Sequence, residues 1–456
     1  MPNHIKLKRG FEINLAGKPE KVVGETPQSD TFAIKPTDFP GMLRPKVVVN
    51  VGDTVKAGTP VLFDKKKSEV MYCAPVSGEV VEIKRGEKRK LLEVKILADN
   101  AMVYEEFKQY TVSDLSAISK EDALAQMLKG GVWPQIIQRP YGIVADPADT
   151  PKDIFISTFD TSPLAPDYEV LLKGQANFFS AGIEILKKLT SGKVHLGINA
   201  SAEVSSTFSD VKGVETTKFS GPHPAGNVGV HIHHVSPLGK GQIVWTLDPY
   251  GVTQIGKLFL TGTYDTTKVI SLAGSEVKKP QYYKTYQGAC IDKIIEGKID
   301  HKNVRYISGN VLTGEKIESD GYLGFHHHQI TVIPEGNEYE FLGWMKPTTD
   351  KLSFHRALGL LSFLNSSKKE YVLNSNIKGE ERAFVQTGIY EKVIPMDILP
   401  EYLFKAILAE DYDDMETLGI YEVIEEDVAL CEFIDVSKHD IQGIIRKGIN
   451  LIRETS

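Results

Sequence analysis

The chain has 456 residues, 41% of them apolar, with 53 basic against 60 acidic residues and a net charge of -7. At about 150 residues per domain this is material for about three folded domains, and without a long run of like charge nucleic acid is not an expected partner. The basic start, Met1 to Arg9, lacks the apolar stretch of a signal peptide. The longest apolar runs, 194–200 and 357–364, fall short of the roughly 18 to 20 residues a spanning helix needs, so a cytoplasmic chain without a membrane span is expected.

Residues 1–100 carry short β-type runs at 46–51, 61–63, 78–83 and 91–97, separated by glycine turns. They read as a compact all-β unit. Within it, Val51–Gly58 and Ala74–Val80 resemble the two half-motifs of the lipoyl and biotinyl carrier fold, a barrel-sandwich hybrid. Lys67 stands seven residues before Ala74, where a carrier's modified lysine falls, but Lys65-Lys66-Lys67-Ser68 lacks the acidic-Thr-Asp-Lys or Met-Lys-Met context that ligases read. A carrier or scaffold module is thus one functional alternative, and fold alone does not decide it.

Helical spacing over Ser119–Lys129, with Glu121 and Asp122 near its start, ends at Gly130-Gly131. The pattern then alternates: strand at 153–158, helix at 168–189, strands at 193–199 and 215–219. Such alternation predicts a Rossmann-like α/β domain over 101–265. A small β-grasp unit is expected over 266–318, from strands at 268–274 and 304–309 around a helix-like 289–296. In the remaining 319–456, strands are expected at 329–333 and 341–344. After them comes a helical end packed on its own domain, its apolar face formed by Leu403, Phe404, Ile407 and Leu408 and then by Ile441, Ile444, Ile445 and Ile452. The fold class is therefore multi-domain, mixed α+β and α/β.

In an open parallel sheet, ligands settle beyond the carboxyl ends of the strands. Here those ends are polar, at 157–162, 199–203 and 220–227. The last runs toward a helix and offers backbone N–H groups either to an anion or simply to caps and turns. His223, His231, His233 and His234 fall within twelve positions and His326-His327-His328 are consecutive. No H-E-x-x-H spacing accompanies them, and three neighbours in a strand face alternate sides, so no metal site is assigned and packing or domain-interface hydrogen bonds are the other reading. Cys73, Cys290 and Cys431 form no C-x-x-C pair and read as buried thiols. No nucleophile elbow, Walker loop or G-x-G-x-x-G fingerprint is present, so no catalytic residue is assigned.

Several segments together resemble the NqrA family, the A component of the sodium-translocating NADH:quinone oxidoreductase. They are Ile5–Gly10, Leu15–Pro19, Pro75–Gly78, Lys84–Arg89, Arg139-Pro140, Ser220–Gly226 with His231-Ile-His233, Ile255–Phe259, Ile307–Gly314 and Leu430–Phe433. The resemblance makes the β-grasp unit an SLBB-type domain. It implies a six-subunit oxidoreductase translocase, not active through this chain alone, that passes electrons from NADH to ubiquinone in respiratory electron transfer while exporting sodium. NADH, FAD, FMN, riboflavin and iron–sulfur centres are then expected in the partner subunits, with NqrB, the B component, foremost among the neighbours. The resemblance also implies that the chain lies peripherally on the cytoplasmic face of the bacterial inner membrane.

The chain also resembles, more distantly, RnfC and the flavin-carrying, NADH-binding subunit of respiratory complex I. Those relatives hold flavin with a glycine-rich loop, whereas Gly130-Gly131-Val132-Trp133-Pro134-Gln135 places bulky side chains at that point. One retained cysteine, Cys431, cannot hold a cluster that needs four. No cofactor is therefore expected in this chain, and a self-sufficient flavoenzyme is the enzyme alternative. A quinone site is sought in loops that join aromatic surface to a donor for a carbonyl oxygen. Two qualify: 39–45, with Phe39, Met42 and Arg44, and 133–141, with Trp133, Arg139 and Tyr141. Each is equally readable as a connection or a docking segment.

Overall fold

The computed structural model describes residues 3–25, 29–202, 205–337, 340–355, 359, 361–365, 368–384 and 388–455. Glu203 in the polar run 199–203, and Ala357, Leu358 and Leu360 in the apolar run 357–364, lie outside them. Among the described residues no helix is long and apolar enough to cross a membrane.

The expected barrel-sandwich, α/β and β-grasp units are all present. In the first, strands Thr31–Ile34, Leu91–Ala98, Gly78–Arg85 and Thr54–Val55 form one antiparallel sheet, and Pro45–Val47, Pro60–Asp64 and Lys67–Cys73 form another. Val61, Leu62, Val80, Val94 and Ile96 are fully buried. Alternation at period two puts Val80, Val94 and Ile96 on the inner face and leaves charged neighbours outside, while adjacent Val61 and Leu62 are both buried where the strand register shifts.

The α/β unit holds a seven-stranded sheet in the order Asn3–Lys6, Glu215–Ser220, Val194–Asn199, Ile154–Ser157, Val244–Leu247, Ile137–Arg139, Ile143–Val144. The first five strands are parallel and the last two form an antiparallel hairpin. Helix Lys120–Lys129 starts where the Ser119 side chain accepts from the Asp122 N–H and stops at Gly130, as its sequence dictates. The helix predicted over 168–189 is instead two, Tyr168–Leu171 and Ala176–Leu186, because Gly174 between them sits at φ +75°. Helix Ala176–Leu186 crosses Pro249–Thr261 very closely: a Cβ at Gly182 would lie 2.0 Å from Val252 O, and one at Gly256 1.8 Å from Phe178 O.

Two N-terminal strands leave the barrel. Asn3–Lys6 is the edge of the seven-stranded sheet, and Glu20–Gly24 pairs with Gln281–Tyr286 at the edge of the β-grasp sheet. That six-stranded sheet runs Glu315–Ile317, Val304–Ser308, Gln329–Pro334, Thr267–Ala273, Gln281–Tyr286, Glu20–Gly24. Gln329–Pro334 thus lies inside it, beyond the expected limit at 318, and the helical segment is only Asp292–Ile295.

The strand expected at 341–344 is absent. Leu342 has φ +48° and leads into a 3-10 turn, Gly343–Met345, while Phe341 stands 89% exposed with no sheet to cover it. Helices Pro400–Ala409, Tyr412–Thr417, Glu425–Ile434 and Ile441–Thr455 then follow. Ile441, Ile445, Ile449 and Ile452 are buried at helical spacing, whereas Leu408 falls off the apolar face at 49% exposure. The helical end does not pack on its own domain alone. Its core also takes in Leu7, Ile13 and Leu15 from the N-terminus, Ala225 and Val230 from the α/β unit, and Ala273.

Candidate functional site

The order of the seven-stranded sheet reverses at one place. From Ile154–Ser157 the chain moves outward through Val194–Asn199 and Glu215–Ser220, then crosses back to lay Val244–Leu247 on the other side. Connections leaving neighbouring strands in opposite directions open a crevice beyond their carboxyl ends. Here it is a cleft of about 600 Å³, within the range of about 300 to 1,000 Å³ typical of small-molecule sites.

Ser157, Thr246 and Asp248 line the cleft from the strand ends, and Gly226 and Asn227 from the 220–227 loop. Three successive histidines, 326–328, contribute from the β-grasp unit; Glu425, Glu426 and Arg446 contribute from the C-terminal helices. Two of the polar strand ends picked from the sequence, 157–162 and 220–227, therefore meet in one crevice. The described part of 199–203 does not line it, and Leu247-Asp248 does. Asn227 precedes helix Val228–Val235 without capping it through its side chain; its amide donates instead to Glu426 O at 3.0 Å.

Arg139, at the end of strand Ile137–Arg139, is 2% exposed and lines the cleft. Its Nη1 donates to Asp427 Oδ2 at 2.6 Å and its Nη2 to Glu426, while Nε has no partner among the described residues. Arg446 likewise forks onto Glu425 and donates to Tyr141 O at 2.9 Å. Crowding by neighbouring atoms pushes the Glu426 carboxyl up, the Arg139 guanidinium opposes this, and Asp427, Asp160 and Glu425 add to the rise.

The other loop residues chosen from the sequence fare differently. Phe39 is not exposed: it is 3% accessible, its ring centroid 4.3 Å from Tyr72 and 4.7 Å from Phe325. The cavity beneath it, about 20 Å³, has room for one water and no ring. Trp133 is fully buried, donating from Nε1 to Ala145 O at 3.0 Å and standing edge-on to Trp245. Val132 is also core, so neither side chain obstructs the cleft; both fill the space behind it. Met42 and Tyr141 are half-buried and Arg44 is exposed. The first loop meets the strand that follows the second, Val144 N donating to Pro40 O at 3.0 Å, and Pro40 and Gly142 line the cleft with Arg139.

The histidines act as hydrogen-bonding and packing groups. His231 stacks on Phe219 with centroids 3.9 Å apart and shares a hydrogen bond with Ala225 O; His233 pairs with Glu422 at 2.5 Å; His234 meets Pro395 O. The triad 326–328 lies in a turn ahead of strand Gln329–Pro334 rather than in a strand, with His327 Nδ1 at 2.8 Å from Ser308 Oγ and His328 Nε2 at 2.5 Å from Asp248 Oδ2. Asp248 is the N-cap of helix Pro249–Thr261. Burial alone raises a carboxyl, but His328, the Gly251 N–H and Lys268 hold Asp248 down at about 2. Sequence reasoning singled out the triad but not its Asp248 partner, for which the Asp-Pro helix start was the available signal. Among the described residues no three His, Cys, Asp or Glu side chains group as metal ligands.

Lys67, the position of a carrier's lysine, is held in place. Its Nζ lies 3.3 Å from Asp146 and donates to Val144 O at 3.2 Å. Cys73, Cys290 and Cys431 are buried in three separate clusters, and burial pushes each thiol up.

Three family models match in succession: the NqrA N-terminal barrel-sandwich hybrid domain over 5–99, the NqrA second alpha/beta domain over 118–264, and the NQRA C-terminal domain over 269–319. Among curated proteins, the NqrA component of the Na(+)-translocating NADH-quinone reductase of Neisseria meningitidis serogroup B is 38% identical over 99% of both chains. The corresponding proteins of Tolumonas auensis and Rhodopirellula baltica are each 38% identical over 98% of this chain and 99% and 97% of theirs. The solved NAD+-reducing [NiFe]-hydrogenase in its H2-reduced state covers 51% of this chain and 52% of its own at 10% identity, with a TM-score of 0.36, a likeness too slight to argue from. With full-length identity at this level and domain models in the same order as the observed units, the chain belongs to the NqrA family of the Na(+)-translocating NADH-quinone reductase.

Proposed function

We propose that this chain is the peripheral, cofactor-free component of a sodium-translocating NADH:quinone reductase, and that its cleft binds the quinone headgroup for reduction to quinol. The charge of the cleft carries the reading. Asp160, Asp248, Glu425 and Glu426 line it, while Arg139 and Arg446 are already engaged by the carboxylates of residues 425–427. A flavin or nicotinamide nucleotide would bring phosphates against those carboxylates, whereas a quinone ring is uncharged. Arg139 is the donor on the wall, and buried Phe39 and Trp133 support the wall from behind. Met42, Arg44 and Tyr141 form the outer parts of the same two loops, next to the approach of an isoprenoid tail.

On this reading NADH, flavins and iron–sulfur centres belong to partner subunits. NqrB is the integral neighbour on the cytoplasmic face of the bacterial inner membrane. Photo-crosslinking of the assembled complex with a reactive quinone analogue, followed by peptide mapping, tests it. Labels within 39–45, 131–141 or 326–328, suppressed by excess quinone, are expected. Labelling confined to membrane subunits would overturn the quinone site and leave a scaffold.

A further inference from the structure

His328 is a cleft residue whose chemistry the quinone reading leaves unused. It is 8% exposed and its Nε2 lies 2.5 Å from Asp248 Oδ2. The other Asp248 oxygen accepts from Gly251 N at 2.6 Å, so this carboxylate is an acceptor toward both neighbours. The imidazole atom facing it therefore carries the hydrogen, and in the neutral ring Nδ1 is left with the lone pair. Among the described residues nothing bonds Nδ1.

The surroundings keep the ring neutral. Burial pushes its pKa down and the Lys268 ammonium adds to that, while Asp248 and Asp160 pull the other way. His326 and His327 precede it in the chain, and Tyr168 and Tyr250 present their rings edge-on at 6.0 and 5.3 Å.

We propose that His328 Nδ1 is the acceptor by which the cleft distinguishes quinol from quinone. A hydroxyl of the reduced ring donates to it, whereas a carbonyl of the oxidised ring has no hydrogen to give. Among the described residues Arg139 Nε and His326 Nε2 also line the cleft without a partner; Arg139 Nε is a fixed donor and serves both forms equally, since either oxygen accepts from it. Selectivity therefore rests on the imidazole. The inference depends on the cleft being the quinone site and adds that the product is held more tightly than the substrate. A buried acceptor left without a donor is unfavourable enough to make the preference about tenfold. For a two-electron couple this raises the midpoint potential of the bound quinone by about 30 mV.

The test uses the full chain with ubiquinone-1 and its quinol, titrated anaerobically at pH 7.5 by calorimetry. The quinol is expected to bind about tenfold more tightly. His328→Phe keeps a ring in the same place and leaves no acceptor there, so it should bring the ratio to about one without weakening quinone binding. Because that variant stands in a buried turn, 15N-histidine spectra of the unaltered chain supply an independent readout. Quinol, and not quinone, should shift one unprotonated ring nitrogen. Equal affinities for the two forms, an unchanged preference in the variant, or no quinol-specific shift would overturn this inference while the quinone cleft stood. Failure of both forms to bind would overturn the cleft reading together with it.

Discussion

Arg139 and Asp427 are 288 positions apart in the chain and meet at 2.6 Å, joining the hairpin of the α/β sheet to the helix Glu425–Ile434. Both side chains are buried, at 2% and 0% exposure, and Asp427 also accepts from Ile424 N at the start of its own helix. Removing one partner of such a pair leaves the other charged and desolvated, which costs about 3 to 5 kcal/mol. Arg139→Ala is therefore expected to release the C-terminal helices. Hydrogen exchange in 425–434 should accelerate well before the barrel is affected. The triple change Arg139→Met, Glu426→Gln and Asp427→Leu removes the cation and both its carboxylate partners and should recover most of the protection. Equal protection in Arg139→Ala and the unaltered chain would show that the pair contributes little.

The buried histidines make the fold sensitive to acid. Burial holds His223, His231 and His326 at about 4 and His327 at about 3, against about 6.5 in an unfolded chain. Between those values the unfolded chain binds protons that the folded protein refuses. The stability these rings contribute is present above about 6.5 and is lost as pH falls toward 4, by about 1.4 kcal/mol per pH unit for each ring. Asp38, raised to about 6 by burial, works in the opposite direction over part of this range, as does Glu426. His195, His234 and His328 are lowered as well, and Glu12 and Glu432 raised, so among the described residues seven rings stand against four carboxyls and the melting temperature should drop steadily from pH 7 to pH 5. His231→Phe keeps a ring on Phe219 and removes one titrating group, so its pH slope should be shallower. A flat profile for the unaltered chain would refute the account.

The crossing of helices Ala176–Leu186 and Pro249–Thr261 is set by two glycines. A methyl group at Gly256 would sit 1.8 Å from Phe178 O, a backbone atom that cannot rotate away. Overpacking of a tight core typically costs about 1 to 3 kcal/mol. Gly256→Ala should destabilise the α/β unit by at least that range, read as a lower unfolding midpoint. Gly297→Ala meets no atom within 4 Å but sits at φ +70°, so its smaller loss isolates the backbone term. Similar losses in the two variants would mean that the helices separate easily.

What was legible in the sequence is what neighbouring residues decide among themselves. Strands Gly78–Arg85, Leu91–Ala98 and Val194–Asn199 carry their own alternation or apolar runs, and Ser119 with Gly130 brackets helix Lys120–Lys129. Gly174 split the helix expected over 168–189 because a continuous apolar pattern does not reveal a left-handed residue. At the site, Arg139 was recognisable as a donor, but its partners Glu426 and Asp427 lie in another unit. The same holds for His328 and Asp248, 80 positions apart. Phe39 and Trp133 read as surface aromatics in the sequence because proline-bracketed loops usually are exposed. The packing of the barrel against the sheet domain puts them inside, and nothing local encodes that.

The N-terminal segment is the clearest case of structure set at a distance, and it gives a further prediction. Strand Asn3–Lys6 is short and mostly polar; it exists because Glu215–Ser220 offers a free sheet edge, with Asn3 opposite Thr217 and Lys6 opposite Ser220. Leu7, Ile13 and Leu15 then enter the core of the C-terminal helices, and Glu20–Gly24 closes the β-grasp sheet. One segment thus ties three units together. Deleting residues 1–24 removes two edge strands and, among others, the buried side chains of Leu7, Ile13 and Leu15, each worth about 1.5 to 3 kcal/mol of apolar burial. The barrel, whose seven strands all lie between Thr31 and Ala98, keeps its own hydrogen bonds and should stay protected from exchange. The helices 400–455 should exchange faster and become open to limited proteolysis. Equal protease resistance of the full and shortened chains would show that the C-terminal helices are held by Arg139 and the α/β unit without help from the N-terminus.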